Sequence, residues 1–174
     1  MLRPLIALAI ASLAAGCQLF RAEGPGAVAQ LQPTRGHTAN GTARFLQIGE
    51  RVRVHAVVGG LAPGREHGFH IHEAGDCGSG DGMSAKGHFN PYGKPHAHPS
   101  TAERHAGDLP ALKADAAGRA ELAVELDVLT VAGGPASVVG RGLIVHANPD
   151  DYRTQPTGNA GARIACAVIR PAAD

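Results

Sequence analysis

Short runs of β-forming residues, each broken within a few positions by Gly, Pro, Asp or Asn, recur from Ala27 to Ile169, and no amphipathic pattern long enough for a helix interrupts them. The runs are 27–32 (AVAQLQ), 42–47 (TARFLQ), 51–58 (RVRVHAVV), 67–73 (HGFHIHE), 119–126 (RAELAVEL), 141–147 (RGLIVHA) and 163–169 (RIACAVI). Arg51-Val52-Arg53-Val54 alternates strictly, which places one face of that strand in a core and the other in water. A chain of this kind folds as an all-β sandwich or flattened barrel. Aromatic residues make up only 3% and Trp is absent, so the core is built from Val, Leu, Ile and Ala. Two stretches are too long for plain turns: 74–108, rich in Gly, His and Pro, and 147–162. Long ordered loops in a compact domain usually carry function.

The first residues have a different character. Arg3 precedes a run, Leu5 to Ala15, that is apolar apart from Ser12, and Gly16-Cys17 follow at once. Residues 1–16 read as a secretory signal peptide. The run is shorter than the roughly 20 residues a spanning helix needs, and no later segment approaches that length. Leu13-Ala14-Ala15-Gly16-Cys17 resembles a lipoprotein signal, with Ala14 where Leu is commoner, which implies that Cys17 is lipidated. Acyl chains would tether the protein by about 0.8 kcal/mol for each buried CH₂. The alternative is a plain signal that leaves Cys17 as an unpaired thiol. Residues 17–26 then form a tether, and 27–174 one domain with a real core. The expected location is the periplasm or cell envelope, with membrane contact only through the anchor; Gln18 after the cysteine resembles an outer-membrane sorting signal.

Removing the signal leaves 15 Lys and Arg against 15 Asp and Glu, without a basic run or interleaved aromatics, so nucleic acid is not an expected partner. Beyond Cys17 the cysteines are Cys77 and Cys166, an even pair in a chain bound for an oxidising compartment, and they are expected to form a disulfide. Closing so long a loop stabilises by roughly 4 to 5 kcal/mol on the chain-entropy account.

The chain has 10 histidines, and several stand at metal-ligand spacing. His70 and His72 flank Ile71 in an expected strand, so both imidazoles project from one face, about 6.5 to 7 Å apart. His88, His96 and His105 lie in the first long loop, with Asp108 three residues after His105, a set suited to a tetrahedral zinc ion. Spacing alone leaves His98 in competition with His96. His146 lies far along the chain at the end of an expected strand, where it could join His70 and His72. Any one of these alone would more often be a solvated loop histidine.

Four segments carry a family resemblance: Gly68-Phe69-His70-Ile71-His72-Glu73, Gly87-His88-Phe89-Asn90-Pro91, Arg104-His105-Ala106-Gly107-Asp108-Leu109 and Gly158-Asn159-Ala160-Gly161-Ala162-Arg163-Ile164-Ala165-Cys166. In this order they resemble the signature segments of copper/zinc superoxide dismutases, over about residues 27–170. The resemblance implies a Greek-key β-sandwich, or flattened eight-stranded barrel, with two long functional loops. It also implies one copper held by His70, His72, His88 and His146, and one zinc held by His88, His96, His105 and Asp108. His88 would serve both ions as an imidazolate, and the single carboxylate suits the redox-inert zinc. His96 is preferred to His98 by its match to the family's spacing. Asp150 matches a carboxylate that links a copper histidine to a zinc histidine, here His70 and His96; taken alone it would be a turn residue. His67 resembles a buried structural histidine, His37 and His55 have no assigned role, and Cys77 and Cys166 match the family's disulfide.

The implied reaction is the disproportionation of superoxide to dioxygen and hydrogen peroxide by alternate reduction and reoxidation of copper, with His88 carrying a proton between the halves. Arg163 matches a cation beside the copper channel, and Thr157 would narrow the same entrance. The segment from His146 to Arg163 is shorter than in eukaryotic relatives, Pro156 stands where they carry Lys, and their acidic pair is missing. Steering of the anion must therefore differ, with Arg153 and Lys86 as candidates. The family pairs subunits through different surfaces, so both a monomer and a homodimer stay open. The competing reading is an exported copper/zinc-binding or buffering protein without catalysis on the same fold, and a lipid-anchored adhesive sandwich is a third. A copper carrier would more naturally expose Met and Cys, yet the chain has 2 Met and no unpaired Cys beyond the lipidation site.

Overall fold

The computed structural model describes residues 24–173. The expected signal peptide, Cys17 and most of the tether lie outside the described residues. The described chain is all β apart from one turn of 3-10 helix, Met83–Ala85. The strands are β1 (Gly26–Pro33), β2 (Asn40–Ile48), β3 (Arg51–Gly59), β4 (Glu66–His67), β5 (Phe69–His72), β6 (Leu112–Lys113), β7 (Ala120–Leu126), β8 (Gly142–His146), β9 (Arg163–Val168) and β10 (Arg170–Pro171). Every run expected from the sequence is a strand, with 67–73 split into β4 and β5 at Gly68. β1 starts at Gly26, so the last residue assigned to the tether already belongs to the sheet. No helix among the described residues is long and apolar enough to cross a membrane.

Alternation explains which faces turn inward. In β3, Val52, Val54, Ala56 and Val58 are fully buried while Arg51 and Arg53 are exposed. Burying each valine contributes about 1.5 to 3 kcal/mol. Facing residues from the other strands, Leu31, Ala43, Phe45, Phe69, Ile71, Leu143 and Val145 among them, join the same core.

The strands form one curled antiparallel sheet in the order β5-β8-β9-β1-β2-β3-β7, with β10 also paired to β1. The chain runs β1-β2-β3 as a meander, crosses to the far edge as β5, returns beside β3 as β7, crosses again to β8, and inserts β9 between β8 and β1. A small ribbon of β4 and β6 joins the two ends, since β4 leads into β5 through Gly68 and β6 touches β7. These crossings are what bring β5, β8 and the two long loops together.

The first long loop is built onto the free edge of β5. Ile71 N–H donates to Gly107 O (2.9 Å), Phe89 N–H to Ile71 O (2.8 Å), Gly107 N–H to Phe89 O (2.9 Å) and Glu73 N–H to Gly87 O (2.9 Å). Position 107 must be glycine, because a Cβ there would collide with the Ile71 carbonyl and the Phe89 amide. The expected disulfide joins Cys77 of this loop to Cys166 of β9, with Cα atoms 5.9 Å apart. Arg104, buried in the same loop, donates from Nη1 to Thr101 O (2.6 Å) and from Nη2 to Asp127 Oδ1 (2.6 Å).

Candidate metal centre

β5 is buried on both faces: Phe69 and Ile71 enter the core, and His70 and His72 point the other way, each 0% exposed. β8 lies antiparallel beside it, with His70 opposite Ile144 and His72 opposite Gly142. A register shift in the pairing of β8 with β9, between Val145 and His146, re-aims the last residue of β8, so that His146 reaches the imidazoles of β5. His88 arrives from the loop, bridged to His72 through the backbone. One ring nitrogen from each of His70, His72, His88 and His146 lies within 4.8 Å of all the others.

The hydrogen bonds determine which nitrogen each ring presents. His70 Nε2–H donates to Asp150 Oδ2 (2.6 Å), His72 Nδ1–H to Lys86 O (2.8 Å), His88 Nδ1–H to Asp108 Oδ1 (2.9 Å) and His146 Nδ1–H to Gly161 O (3.1 Å). The opposite atoms, His70 Nδ1, His72 Nε2, His88 Nε2 and His146 Nε2, are buried without a partner. A buried nitrogen lone pair without a donor is costly. Four of them facing one another are a ready set of metal ligands, each oriented from behind.

A second cluster shares His88. One atom each of His88, His96, His105 and Asp108 again lies within 4.8 Å of the rest, and all are buried. Asp108 Oδ1 accepts from His88 Nδ1 and His96 Nδ1 at 2.9 Å and stands 3.4 Å from His105 Nδ1. Its Oδ2 is occupied by the backbone N–H groups of Ala97 and His105, both at 3.1 Å. His88 therefore turns Nε2 to one cluster and Nδ1 to the other.

Asp150 spans both. Its Oδ2 accepts from His70 Nε2 (2.6 Å), and its Oδ1 faces His96 Nε2 (3.0 Å) and accepts from the Tyr152 N–H (2.7 Å). Gly158, at φ 66°, allows this approach, since a side chain there would run into Asp150 and His96.

The charges of the two clusters differ. Burial pushes His72 well below the ordinary histidine value, and the neighbouring His88, Arg163 and His146, against which a second positive charge would be repelled, lower it further. Burial likewise lowers His88 to about 4, against the pull of Asp108, and His146 to about 3. Burial would lower His96 too, but hydrogen bonds to Asp108 and Asp150 raise it to about 9. Burial alone would raise Asp108 and Asp150; the imidazoles around them hold both carboxyls below the usual range.

The structure separates the competing histidines. His96 is buried, and Gln155 clamps its backbone: His96 N–H donates to Gln155 Oε1 (2.8 Å) and Gln155 Nε2–H to His96 O (2.7 Å). His98 is exposed, bonded to Ser100 Oγ (2.8 Å) and edge-on to Tyr152. His67 is buried and its Nδ1–H supports the backbone carbonyl of His146 (2.8 Å), His55 pairs with Glu121 (2.9 Å), and His37 is exposed. Arg163 donates from Nη1 to Gly82 O and from Nη2 to Lys86 O, both at 2.6 Å. Thr157 is half-buried, and among the described residues no polar contact ties its side chain to Arg163 or to either cluster.

Sequence reading missed the Gln155 clamp and the Lys86 carbonyl. Neither carries a local signal: Gln155 meets a backbone 59 residues away, and a carbonyl is common to every residue.

The family model described as copper/zinc superoxide dismutase (SODC) matches residues 39–169. A superoxide dismutase [Cu-Zn] of Paramecium bursaria Chlorella virus 1 is 42% identical over 135 residues, covering 74% of this chain and 71% of the relative. Superoxide dismutase [Cu-Zn] 2 of Aquifex aeolicus (strain VF5) is 40% identical over 146 residues, covering 82% and 85%. A solved structure, that of the clock protein EA4, superposes with a TM-score of 0.77 at 36% identity, covering 84% of this chain and 94% of that one. Through the sequence match, the fold and two imidazole clusters that share one histidine, the chain belongs to the copper/zinc superoxide dismutase family.

Proposed function

We propose that His70, His72, His88 and His146 hold copper, that His88, His96, His105 and Asp108 hold zinc, and that the centre so formed disproportionates superoxide to dioxygen and hydrogen peroxide. The observation that carries this reading is the set of buried, partnerless nitrogens on the first four histidines, each with its other nitrogen bonded to an acceptor. The donor chemistry fits: imidazoles alone suit a copper that changes oxidation state, and the carboxylate belongs with zinc. When bound, copper supplies the one-electron redox chemistry that oxidises one superoxide and reduces the next, and zinc supplies a fixed positive charge.

The residues supply orientation and protons. Asp150 holds His70 and His96 in register, so the two halves of the centre are tied through one carboxylate. His88 Nε2 faces the imidazole cluster and is the atom that takes up a proton and returns it to the departing peroxide, while Nδ1 keeps the ring anchored on the other side. Arg163 stands beside the cluster, its guanidinium fastened by the Gly82 and Lys86 carbonyls, and presents a permanent cation to an anionic substrate. Thr157 borders the same approach.

Residues 1–17 support export with a lipid on Cys17, and the Cys77–Cys166 disulfide suits an oxidising compartment such as the periplasm. Mass spectrometry of the mature N-terminus tests this: an acylated Cys17 is expected, and an unmodified one refutes the anchor.

The test of the enzyme is superoxide decay in the presence of the mature protein, followed together with its copper and zinc content. Fast turnover that disappears on chelation and returns with copper is expected. Full occupancy by both metals without turnover would instead favour a metal-binding protein on this fold.

A further inference from the structure

Cys17, the proposed lipid attachment, stands seven positions before Gly24, where the described chain begins. Fully extended, that stretch spans at most about 25 Å, while a domain of this size has a radius of gyration of about 15 Å. The side that carries Gly24 therefore stays next to the membrane, and the far side cannot reach it. The exit is fixed beside β2: Gln47 N–H donates to Pro25 O (3.1 Å), and a Cβ on Gly24 would collide with the Gln47 carbonyl. Next to it lies a cavity of about 880 Å³, lined by Gly24, Ala172, Arg44, Leu46, Arg53 and His55 among others.

Arg44, Leu46, Arg53 and His55 are outward positions of β2 and β3, since Phe45 and Val54 between them are buried in the core. Pairing sets Arg44 opposite His55 and Leu46 opposite Arg53, and places Arg170 of β10 beside Val28, itself opposite Arg44. This outer face carries Arg44, Arg51, Arg53, Arg119 and Arg170 against Glu121, Glu125 and, in the β2–β3 turn, Glu50. Glu125 pairs with Arg53 (2.7 Å) and loosely with Arg51 (3.9 Å), and Glu121 with His55 (2.9 Å) and Arg119 (3.2 Å). Asp127, within the field of Arg51, is held by Arg104. Among the described residues Arg44 and Arg170 have no carboxylate partner, and both are exposed. The side from which the chain is tethered thus carries an excess of cations.

We propose that this cavity and the arginines around it form a docking face for the anionic phosphodiester headgroups of the membrane that holds the anchor. The inference rests on the lipid-anchor reading above. A guanidinium fork binds phosphate oxygens in pairs. Each arginine brought against an anionic bilayer favours the docked form about fivefold, and the attraction is confined to about a Debye length. β5 and β8, which carry the imidazole cluster, are separated from β2 by β9 and β1, so docking leaves that cluster uncovered.

The experiment places the mature, acylated, metal-loaded protein on vesicles of phosphatidylglycerol with phosphatidylethanolamine and, separately, on vesicles of phosphatidylcholine. Phenylglyoxal modifies accessible arginines, and mass spectrometry reads each site. Arg44 and Arg170 are expected to react at least fivefold more slowly on the phosphatidylglycerol vesicles at low salt, and alike on both at about 1 M salt. Arg65 and Arg153, exposed elsewhere on the domain, should react alike throughout. Arg44→Gln should cut the slowing at Arg170 about fivefold, with metal content and superoxide decay unchanged. Equal rates at Arg44 and Arg170 on both vesicles at low salt would overturn the proposal: fast on both, the face is undocked; slow on both, it is covered by protein, either the chain's own ends or a second copy. Slowing that inorganic phosphate reproduces on phosphatidylcholine would assign the site to the free anion and overturn the lipid as its occupant. An unmodified Cys17 in the mass spectrum rejects the anchor itself, an outcome distinct from an acylated protein whose arginines stay reactive.

Discussion

The two clusters share His88 but satisfy their polar atoms differently. The strand-borne one, built on β5 and β8 with His88 added from the loop, has an acceptor behind every ring and turns the four opposite nitrogens toward one another. The loop-borne one contains a carboxylate, and Asp108 already bonds His88 and His96 while Asp150 bonds the far side of His96. In the first, no described side chain competes with an ion for those nitrogens. The second can close on itself through hydrogen bonds, so an ion entering it must displace protons as well as bind.

The most severe way to break this comparison is to remove the residue both clusters use. His88→Ala should reduce superoxide turnover by more than the roughly 100-fold that loss of an outer partner costs, and weaken retention of both metals. Metal analysis after dialysis checks the second half; a variant that keeps both ions would show that the clusters are independent.

Acid and base sharpen the difference in the metal-free protein. His88 and His146 are held at about 4 and 3, below the 6.5 of an unfolded histidine, so the stability they carry is complete above pH 6.5 and lost as pH falls through 4 to 3. His96 is raised to about 9, so its contribution is complete below pH 6.5 and lost as pH rises through 9. Each amounts to a few kcal/mol. Denaturant midpoints under chelation should therefore fall on both sides of neutrality, more steeply toward acid, where two histidines act together. A flat acid limb would contradict the strand-borne half.

Asp150→Ala touches one histidine of each cluster and should lower affinity for copper and zinc alike, by about 10- to 100-fold. Competition with graded chelators measures both; loss of zinc alone would mean that His70 is held well enough by β5 and β8.

Arg163→Ala is the smallest change, because the guanidinium touches neither cluster directly. We expect about a fivefold loss of rate at low salt with metal content intact, and a weaker dependence on ionic strength. The same kinetics at low salt in wild type and variant would rule out its part in attracting the anion.

The strands were legible wherever side chains alternate over several residues, as in 51–58. β6 and β10 were not, because a pair of two residues has no period and exists only where its partner passes. The site divides in the same way. His70 and His72 are readable together because a strand returns every second side chain to one face, and the family's segments pointed to the rest of the set. Spacing alone could not separate His96 from His98, which lie in an irregular loop where no period applies; Gln155, Asp108 and Asp150 make the choice across the fold. Asp150 by itself reads as a turn residue, and its reach to His70 and His96 depends on Gly158 packing against it.

By itself, then, the chain determined the all-β class, most strand positions, the cysteine pair and the types of ligand, because local periodicity and residue chemistry travel with the sequence. Tertiary structure alone decided which nitrogen each imidazole presents and which histidine of two joins the carboxylate. Those depend on hydrogen bonds between segments distant in the chain, and no local pattern encodes such partners.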